Sequence, residues 1–147
     1  MSRTLEELKP AWNKIIPAAR RFVDALGGAA VLDKETGLVW AKSPASNKTT
    51  WWGALDYCAG LALGGRRGWR LPAIEELASL VDPANQSPAL PSGHPFLNIQ
   101  QEYYWSSSTY AVDNNCALIV HMPSGVVGFQ FPKGSNNFCV WPVRGGQ

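Results

Sequence analysis

The stretch Gly68-Trp69-Arg70-Leu71-Pro72 (GWRLP) stands between two segments with helical spacing. Glycine lets the chain turn, and Trp69 and Leu71 are large enough to anchor the turn in a core. Arg70 can offer its planar donors to a carboxylate or to backbone carbonyls, and Pro72 suits the first position of a helix. The stretch is therefore interpreted as a structural joint rather than a catalytic motif.

The segments beside this joint are predicted to be the two main helices. The first covers Trp51–Leu63 and ends at Gly64-Gly65, and the second covers Pro72–Val81 and ends at Asp82-Pro83. A long Pro-rich loop follows to Phe96. The face of the first helix that we expect to be buried holds Trp52, Leu55, Cys58, Ala59 and Ala62.

Strand candidates precede and follow these helices. The apolar runs Ala29–Leu32 and Leu38–Ala41 are joined by a turn typical of hairpins. Before them, a capping box at Thr4–Glu7 opens helical spacing that reaches Val23, with interruptions at Pro10 and Pro17. The later candidates are Tyr103–Ser107, Ala117–His121, Val126–Phe131 and Phe138–Val143. The pattern predicts an α+β fold, rich in loops, with two main helices packed on a small antiparallel sheet.

Composition narrows the class of protein. The 147 residues are 46% hydrophobic and 16% charged, which indicates a globular chain with a real core. The net charge is +2, so neither a nucleic-acid partner nor membrane insertion is expected, the latter because no apolar run is long enough. The polar N-terminus has no signal-peptide core, which leaves open a cytoplasmic chain, export by another route or a removed signal. The cations are interpreted as solvated: Arg20-Arg21, Arg66-Arg67 with Arg70, Lys133 and Arg144.

Side chains with catalytic chemistry are scattered. His94 lies in the Pro-rich loop, where solvent contact is expected, and His121 lies in a predicted strand, so they have no metal-site spacing. Glu75 and Glu76 are adjacent on a helix and point in different directions. No nucleophile elbow, phosphate loop or dinucleotide fingerprint is present. The sequence therefore predicts no enzyme activity and no cofactor.

An ordered set of motifs resembles the Lcl C-terminal domain family. The motifs are TGLVW (36–40), WWGALDYCAGL (51–61), GGRRGWRLPAIEELASLVD (64–82), YYWSSSTY (103–110), SGVVGF (124–129) and VRGG (143–146). The resemblance begins near residue 20, so we expect an N-terminal helical extension at 1–19 and a C-type-lectin-like domain at 20–147. It implies kinship with formylglycine-generating, sulfatase-modifying domains. It also implies an exported or surface-exposed module, since the namesake domain belongs to an adhesin of sulfated glycosaminoglycans.

The cysteines depart from the family pattern. The family commonly pairs a helix cysteine, matched by Cys58, with one inside the terminal motif, where this chain has Pro142. A Cys58–Cys139 bridge would need a bulge, because Cys139 lies three residues earlier. A Cys116–Cys139 bridge and three free thiols both remain open.

The chemistry of related domains is also missing. Lectins of this fold that bind calcium use acidic and amide pairs around a proline and a Trp-Asn-Asp motif, but Trp105 is followed by Ser106-Ser107. Formylglycine-generating enzymes use a cysteine pair near the C-terminus, and this chain has only Cys139 there. A calcium-dependent sugar site and that oxidase activity are therefore not expected.

What remains is a binding surface on the C-terminal sheet and loops. Tyr110–Trp141 mixes aromatics with Asn, Ser and Gly, as adaptable binding surfaces do, although a plain sheet with polar turns has the same composition. The expected partner is a glycan or protein receptor. The candidate ligand-binding residues are Tyr110, Asp113, Asn114, Asn115, His121, Lys133, Asn136, Asn137 and Trp141. For a sulfated glycan, Arg66, Arg67 and Lys133 are better candidates, with steep salt dependence.

Three further alternatives stay open. Domains resembling this family are among the targets of diversity-generating retroelements, whose adenine-directed changes enrich asparagine, here in the pairs Asn114-Asn115 and Asn136-Asn137. Framework residues such as Trp105, Gly125 and Arg144 would then stay fixed. The other two alternatives are a sulfatase-modifying oxidoreductase and a structural or assembly domain that forms a homo-oligomer.

Overall fold

The structure is a computed structural model, and it describes residues 17–145. The fold is α+β, with two antiparallel sheets and few helices. The predicted capping box at Thr4–Glu7 lies outside the described residues. The division into an extension at 1–19 and a domain at 20–147 stays a prediction.

The first sheet joins both ends of the described chain. After a short helix α1 (Ala18–Arg21), strands β1 (Phe22–Ala25), β2 (Ala30–Asp33) and β3 (Val39–Ala41) form an antiparallel meander. Strand β7 (Val143–Arg144) pairs with β3 and gives the order β1-β2-β3-β7. The predicted hairpin is therefore confirmed, and the last strand closes onto it.

Strand β1 corrects the predicted helix, whose spacing continued to Val23. The backbone becomes extended at Phe22. In the pairing of β1 with β2, Phe22 lies opposite Asp33 and Val23 lies opposite Leu32. The Phe22 ring packs edge-on against Phe96, with 5.2 Å between centroids. Sheet pairing and this aromatic contact stabilise the strand over a continued helix.

The second sheet carries the longer strands. Strands β4 (Tyr103–Thr109), β5 (Cys116–His121) and β6 (Val126–Pro132) pair antiparallel in the order β4-β5-β6. Three of the four predicted C-terminal strands are thus confirmed. The fourth, Phe138–Val143, is wrong as a regular strand, because this segment crosses from the second sheet to the first, where its last residue opens β7.

Helix α2 (Trp51–Gly60) begins where predicted and ends three residues early. The Thr50 hydroxyl accepts the Gly53 amide at 3.2 Å and caps the first turn. Leu61 is already extended, so the Gly64-Gly65 pair forms a later turn instead of the cap. Apolar spacing beyond Gly60 therefore overstated the length of the helix.

Helix α3 (Ile74–Ala78) is also shorter than predicted. Pro72 lies two residues before it, and the Pro72 carbonyl accepts the Ser107 amide at 2.7 Å. The Glu76 carboxylate accepts the Ala73 amide at 2.8 Å and satisfies one donor at the start of the helix. Pro72 thus anchors the helix to β4 rather than starting it.

The GWRLP joint fastens this helix to the first sheet. Trp69 and Leu71 are buried, and the Trp69 indole N–H donates to the Arg66 carbonyl at 2.9 Å. Arg70 forms two hydrogen bonds with Glu76, at 2.7 and 2.8 Å, and donates to the Gly145 carbonyl at 2.6 Å. The predicted roles of all three side chains are confirmed, and Arg70 is a structural cation rather than a solvated one.

Arg21 is a second predicted surface cation that is buried. It donates to both carboxylate oxygens of Asp33, at 2.9 and 2.8 Å, and to the Ser79 carbonyl at 2.8 Å. Burial raises the pKa of Asp33, but the hydrogen bonds and charge of Arg21 outweigh it and hold that pKa below its usual range. The pair links the first sheet to the turn after α3.

Two hydrophobic clusters fill the fold. The first surrounds Trp40 and Trp141, whose rings meet edge-to-face at 5.5 Å. The second lies beneath α2 and contains Trp51, Trp105 and Ile119. The second cluster fixes how α2 sits on the second sheet, and this position determines which aromatic side chain of α2 faces solvent.

Candidate functional site

The exposed face of α2 presents Trp52, which sequence periodicity placed in the core. Trp51, Ala54 and Cys58 form the buried face, and the Trp51 indole N–H donates to the Ser106 carbonyl at 2.8 Å. Trp52 is 57% exposed. Trp51 and Trp52 both suit an apolar face, so the predicted buried face began one residue too late, at Trp52 instead of Trp51. The prediction therefore placed the exposed tryptophan in the core.

The Lys133 ammonium packs against the rings of Trp51 and Trp52. It lies 4.1 Å from the centroid of the Trp51 ring and 5.6 Å from that of Trp52, and it donates to the Thr109 hydroxyl at 2.9 Å. The side chain is 7% exposed, so the expectation of a solvated cation is wrong. Cation–π attraction and one hydrogen bond hold the ammonium in place.

Two loops meet beside the tryptophans. The Lys133 amide donates to the Asn115 carbonyl at 2.8 Å, which ties the end of β6 to the loop before β5. Within the latter loop, the Asp113 carboxylate accepts the Asn115 amide at 3.0 Å. The Asn136 side chain donates to the Pro132 carbonyl at 3.1 Å and closes the other loop. The loop backbones are thus held by their own side chains.

Between α2 and these loops lies a cleft of about 320 Å³, here named the Trp52 cleft. An indole face, an exposed amide, a hydroxyl and a glycine backbone surround it, so it offers apolar contact together with neutral hydrogen-bonding groups. The side chains and backbone of six residues form it: Trp52, Asn115, Pro132, Lys133, Gly134 and Ser135.

Most of the predicted ligand-binding residues lie around this cleft. Asn115 and Lys133 form part of its wall, and five more of the nine occupy the same two loops. Asn114 and Asn137 are exposed, whereas Tyr110 is half-buried and its amide donates to the Cys116 carbonyl. The predicted residues that share the two loops without forming the wall are Tyr110, Asp113, Asn114, Asn136 and Asn137.

Two predicted residues lie elsewhere. His121 ends β5, about 17 Å from the cleft end of that strand, where its ring packs on Tyr103 and its Nδ1 is 2.7 Å from the Ser124 hydroxyl. Trp141 is fully buried, and its indole N–H donates to the Ala41 carbonyl at 2.8 Å. Trp141 is therefore a core residue, and its assignment as a ligand contact is wrong.

A second hollow of about 210 Å³ lies on the other flank of α2. Tyr57 is 43% exposed there, opposite the loop that holds Asn47 and Thr49. Gly53 forms part of its wall, where a Cβ would overlap the Thr49 hydroxyl. No sequence pattern distinguished this loop, since polar residues in loops are common.

The three cysteines are free thiols, which is one of the alternatives that the sequence left open, and neither the Cys58–Cys139 nor the Cys116–Cys139 bridge is present. Burial raises the pKa of Cys58 to about 12 and that of Cys139 to about 11. Cys116 is half-buried, and its thiol lies 3.8 Å from the Asp113 carboxylate. Buried thiols with raised pKa values are poor nucleophiles at neutral pH.

His94 also differs from expectation. Its Nδ1 accepts the Phe96 amide at 3.1 Å and its ring stacks on that of Phe96, so the side chain is half-buried rather than solvated. Burial lowers the pKa of His94. Within residues 17–145, no three His, Cys, Asp or Glu side chains gather closely enough to hold a metal ion. In the same range, no helix has the length and apolar character needed to cross a bilayer.

Comparison with known sequences identifies the family. No curated protein matches the chain significantly. The profile of the Lcl C-terminal domain matches residues 29–144, which contain both sheets apart from β1 and include every residue of the Trp52 cleft. Because this match extends over most of the sequence, the chain belongs to the Lcl C-terminal domain family.

Proposed function

We propose that this domain is a non-catalytic module that binds a glycan or protein receptor at the Trp52 cleft. The observation that carries the proposal is a tryptophan 57% exposed beside neutral polar groups. Trp52 packs edge-on against Trp51, with 4.8 Å between centroids, and leaves the rest of its ring in water. Exposed aromatics next to hydrogen-bonding groups are common in binding sites. The proposal thus extends the candidate surface from the C-terminal loops to α2.

The proposal includes a C-type-lectin-like fold. Its support is the closure of the first sheet, in which the last described strand, β7, pairs with the N-terminal hairpin. The second sheet carries the loops on either side of the Trp52 cleft. Such an arrangement leaves loop sequence free to vary around a fixed frame.

Binding by a glycan array and a panel of cell-surface proteins tests the function. We expect Trp52→Ala and Asn115→Ala to weaken binding at least tenfold, which corresponds to about 1.4 kcal/mol. Phe129→Ala removes an aromatic that is 47% exposed on β6, and His121→Ala alters the far end of β5, so both should bind as wild type. Equal binding by all four variants would refute this placement of the site.

The diversified-receptor alternative has its own support. Asn114-Asn115 and Asn136-Asn137 occupy the two loops that meet beside the cleft, while Trp105 is fully buried. At Gly125, with φ +78°, a Cβ would come within 2.9 Å of the Ala89 methyl carbon. We propose that DNA downstream of the gene be read for a near-copy of the Tyr103–Arg144 coding segment that differs at adenines. Its absence would favour a ligand site of fixed sequence.

An assembly role has one specific observation in its favour. Among residues 17–145, β6 is the unpaired edge of its sheet, and Val126, Val127 and Phe129 are exposed on it. Edge strands of this kind can pair with a second copy. Sedimentation that is independent of concentration would exclude self-assembly. The oxidoreductase alternative has no such support, because the Cys139 thiol is buried against Gln100.

A further inference from the structure

We infer that the Trp52 cleft takes an uncharged saccharide, an inference that rests on the proposed function and narrows it. A sulfated ligand would need mobile cations that face the cleft. Among the described residues, the cation of the cleft wall is buried and carboxylates lie on the neighbouring elements. These charges disfavour a sulfated ligand, and the small volume of the cleft favours a saccharide among the neutral ligands.

Among residues 17–145, the one cation in the cleft wall already has partners. Lys133 donates to the Thr109 hydroxyl and lies over the Trp51 ring, and 7% of its surface reaches solvent. Because so little of the residue is exposed, a sulfate in the cleft could pair with the ammonium only after the side chain had moved outward. Lys133 is thus a positioning residue for the two indoles, and its charge is directed inward.

The arginines expected to serve a sulfated ligand, Arg66 and Arg67, belong to a different surface, and so does Lys48. The Arg67 carbonyl accepts the Arg144 guanidinium at 2.7 Å, so the Arg66-Arg67 turn lies beside β7 of the first sheet. Lys48 pairs with Glu102 at 2.6 Å. Neither group is part of the cleft wall.

Two exposed carboxylates lie on the elements that carry the cleft. Asp56 follows Trp52 by four residues on α2, so it lies one turn further along the same exposed face. Asp113 is exposed in the loop that holds Asn115. Two negative groups beside the cleft oppose the approach of sulfate or carboxylate groups. They leave an uncharged polyol unaffected.

The shape and chemistry of the cleft suit a saccharide better than a protein. Its volume of about 320 Å³ lies in the range of small-ligand sites. A stable protein interface buries roughly 800 Å² of each partner, so it would have to extend well beyond the six residues of the cleft. The open part of the Trp52 ring can pack against sugar C–H groups. The Asn115 amide and the Ser135 hydroxyl can exchange hydrogen bonds with sugar hydroxyls.

Calorimetry with two classes of probe tests the inference on the full chain. The neutral probes are short oligomers of glucose, xylose, mannose and N-acetylglucosamine, and the charged probes are heparin and dextran sulfate. Titrations are made at about 0.05 M and about 0.5 M sodium chloride. The variants are Trp52→Ala, Trp52→Phe, Asp56→Asn and the exposed-aromatic control Phe129→Ala, with circular dichroism to verify folding.

We expect at least one neutral oligomer to bind with an affinity that changes less than about twofold between the two salt concentrations. Trp52→Ala should weaken it at least tenfold, Trp52→Phe should retain part of the affinity, and Phe129→Ala should change nothing. Asp56→Asn should leave neutral binding intact, and it should increase whatever weak heparin binding the wild type has.

Two results would overturn the inference but leave the proposed function standing. One is binding to heparin or dextran sulfate alone, lost on Trp52→Ala and weakened at least tenfold by salt. The other is a protein receptor whose binding depends on Trp52 while no saccharide binds. If no probe or receptor binding depends on Trp52, both the inference and the proposed function fail.

Discussion

At the scale of single residues, Lys133 shows how a charge can serve packing. Its ammonium lies over the Trp51 ring and donates to the Thr109 hydroxyl, so replacement by methionine keeps an unbranched side chain and removes the charge. We expect Lys133→Met to lower the free energy of unfolding by about 1–2 kcal/mol, from the lost cation–π contact and hydrogen bond. Urea denaturation measures this, with the exposed Lys34→Met as the matched control. Equal losses in both variants would contradict the packing role.

The Arg21–Asp33 pair predicts how stability changes in acid. The pKa of Asp33 is lower in the folded state than its unfolded value of about 3.9, so the folded state binds fewer protons. Its contribution to stability is therefore complete above about pH 5, and it is lost as the pH falls through 4 towards the folded pKa.

Urea denaturation between about pH 7 and pH 3 measures this loss. Asp33→Asn removes the titrating group, so its pH dependence should be shallower than that of the wild type. Because this variant leaves the buried Arg21 with only the exposed Glu35, at 3.2 Å, as a charge partner, it can fail to fold. NMR titration of the wild-type carboxyl is then decisive, and a pKa at or above 3.9 would refute the assignment.

Residue types and local motifs predicted much at this scale, but not which side chains are buried. The structural roles of Trp69, Arg70 and Leu71 could be predicted from the GWRLP stretch. A glycine before them, a carboxylate after them and the start of a helix leave few other conformations for this joint. Trp51 and Trp52 could not be told apart, since both fit an apolar face. The choice depends on the Ser106 carbonyl, which lies 55 residues away in sequence.

At the scale of elements, the cap of α2 connects sequence to the site. Thr50 precedes the helix and its hydroxyl accepts the Gly53 amide, one of the donors that a helix leaves unpaired. We expect Thr50→Ala to lower the free energy of unfolding by about 1 kcal/mol and Thr50→Ser to retain most of it. Urea denaturation compares the two. If serine is as destabilising as alanine, the methyl contact rather than the cap is responsible.

Elements with strong local signals were predictable, and those set by distant pairing were not. Strands β4, β5 and β6 are bounded by Asn, Ser, Gly and Pro, and their positions were predicted within two residues. Strand β1 is four residues long and follows helical spacing, so only its pairing with β2 distinguishes it. The segment before β7 is apolar like a strand, yet it crosses from one sheet to the other. No local pattern in the sequence indicates that there are two sheets.

At the scale of the whole molecule, the Trp52 cleft is assembled from parts distant in sequence. Trp52 lies in α2, whereas Asn115 and Lys133 lie beside the second sheet, and the amide of Trp51 donates to the Lys133 carbonyl at 3.0 Å. Composition predicted the loop half of this surface through its asparagines and serines. The helix half was missed, because a tryptophan at helical spacing is more often a core residue.

The three free thiols of the molecule differ in their exposure to solvent. Since Cys58 and Cys139 are buried free thiols and Cys116 is half-buried, a thiol reagent should label Cys116 first in the native protein. Raised pKa values of the buried pair slow their reaction further. All three cysteines should react after denaturation, and a reductant should leave the melting temperature unchanged. Fewer than three reactive thiols in the denatured chain, or a lower melting temperature with reductant, would instead establish a disulfide that holds the fold together.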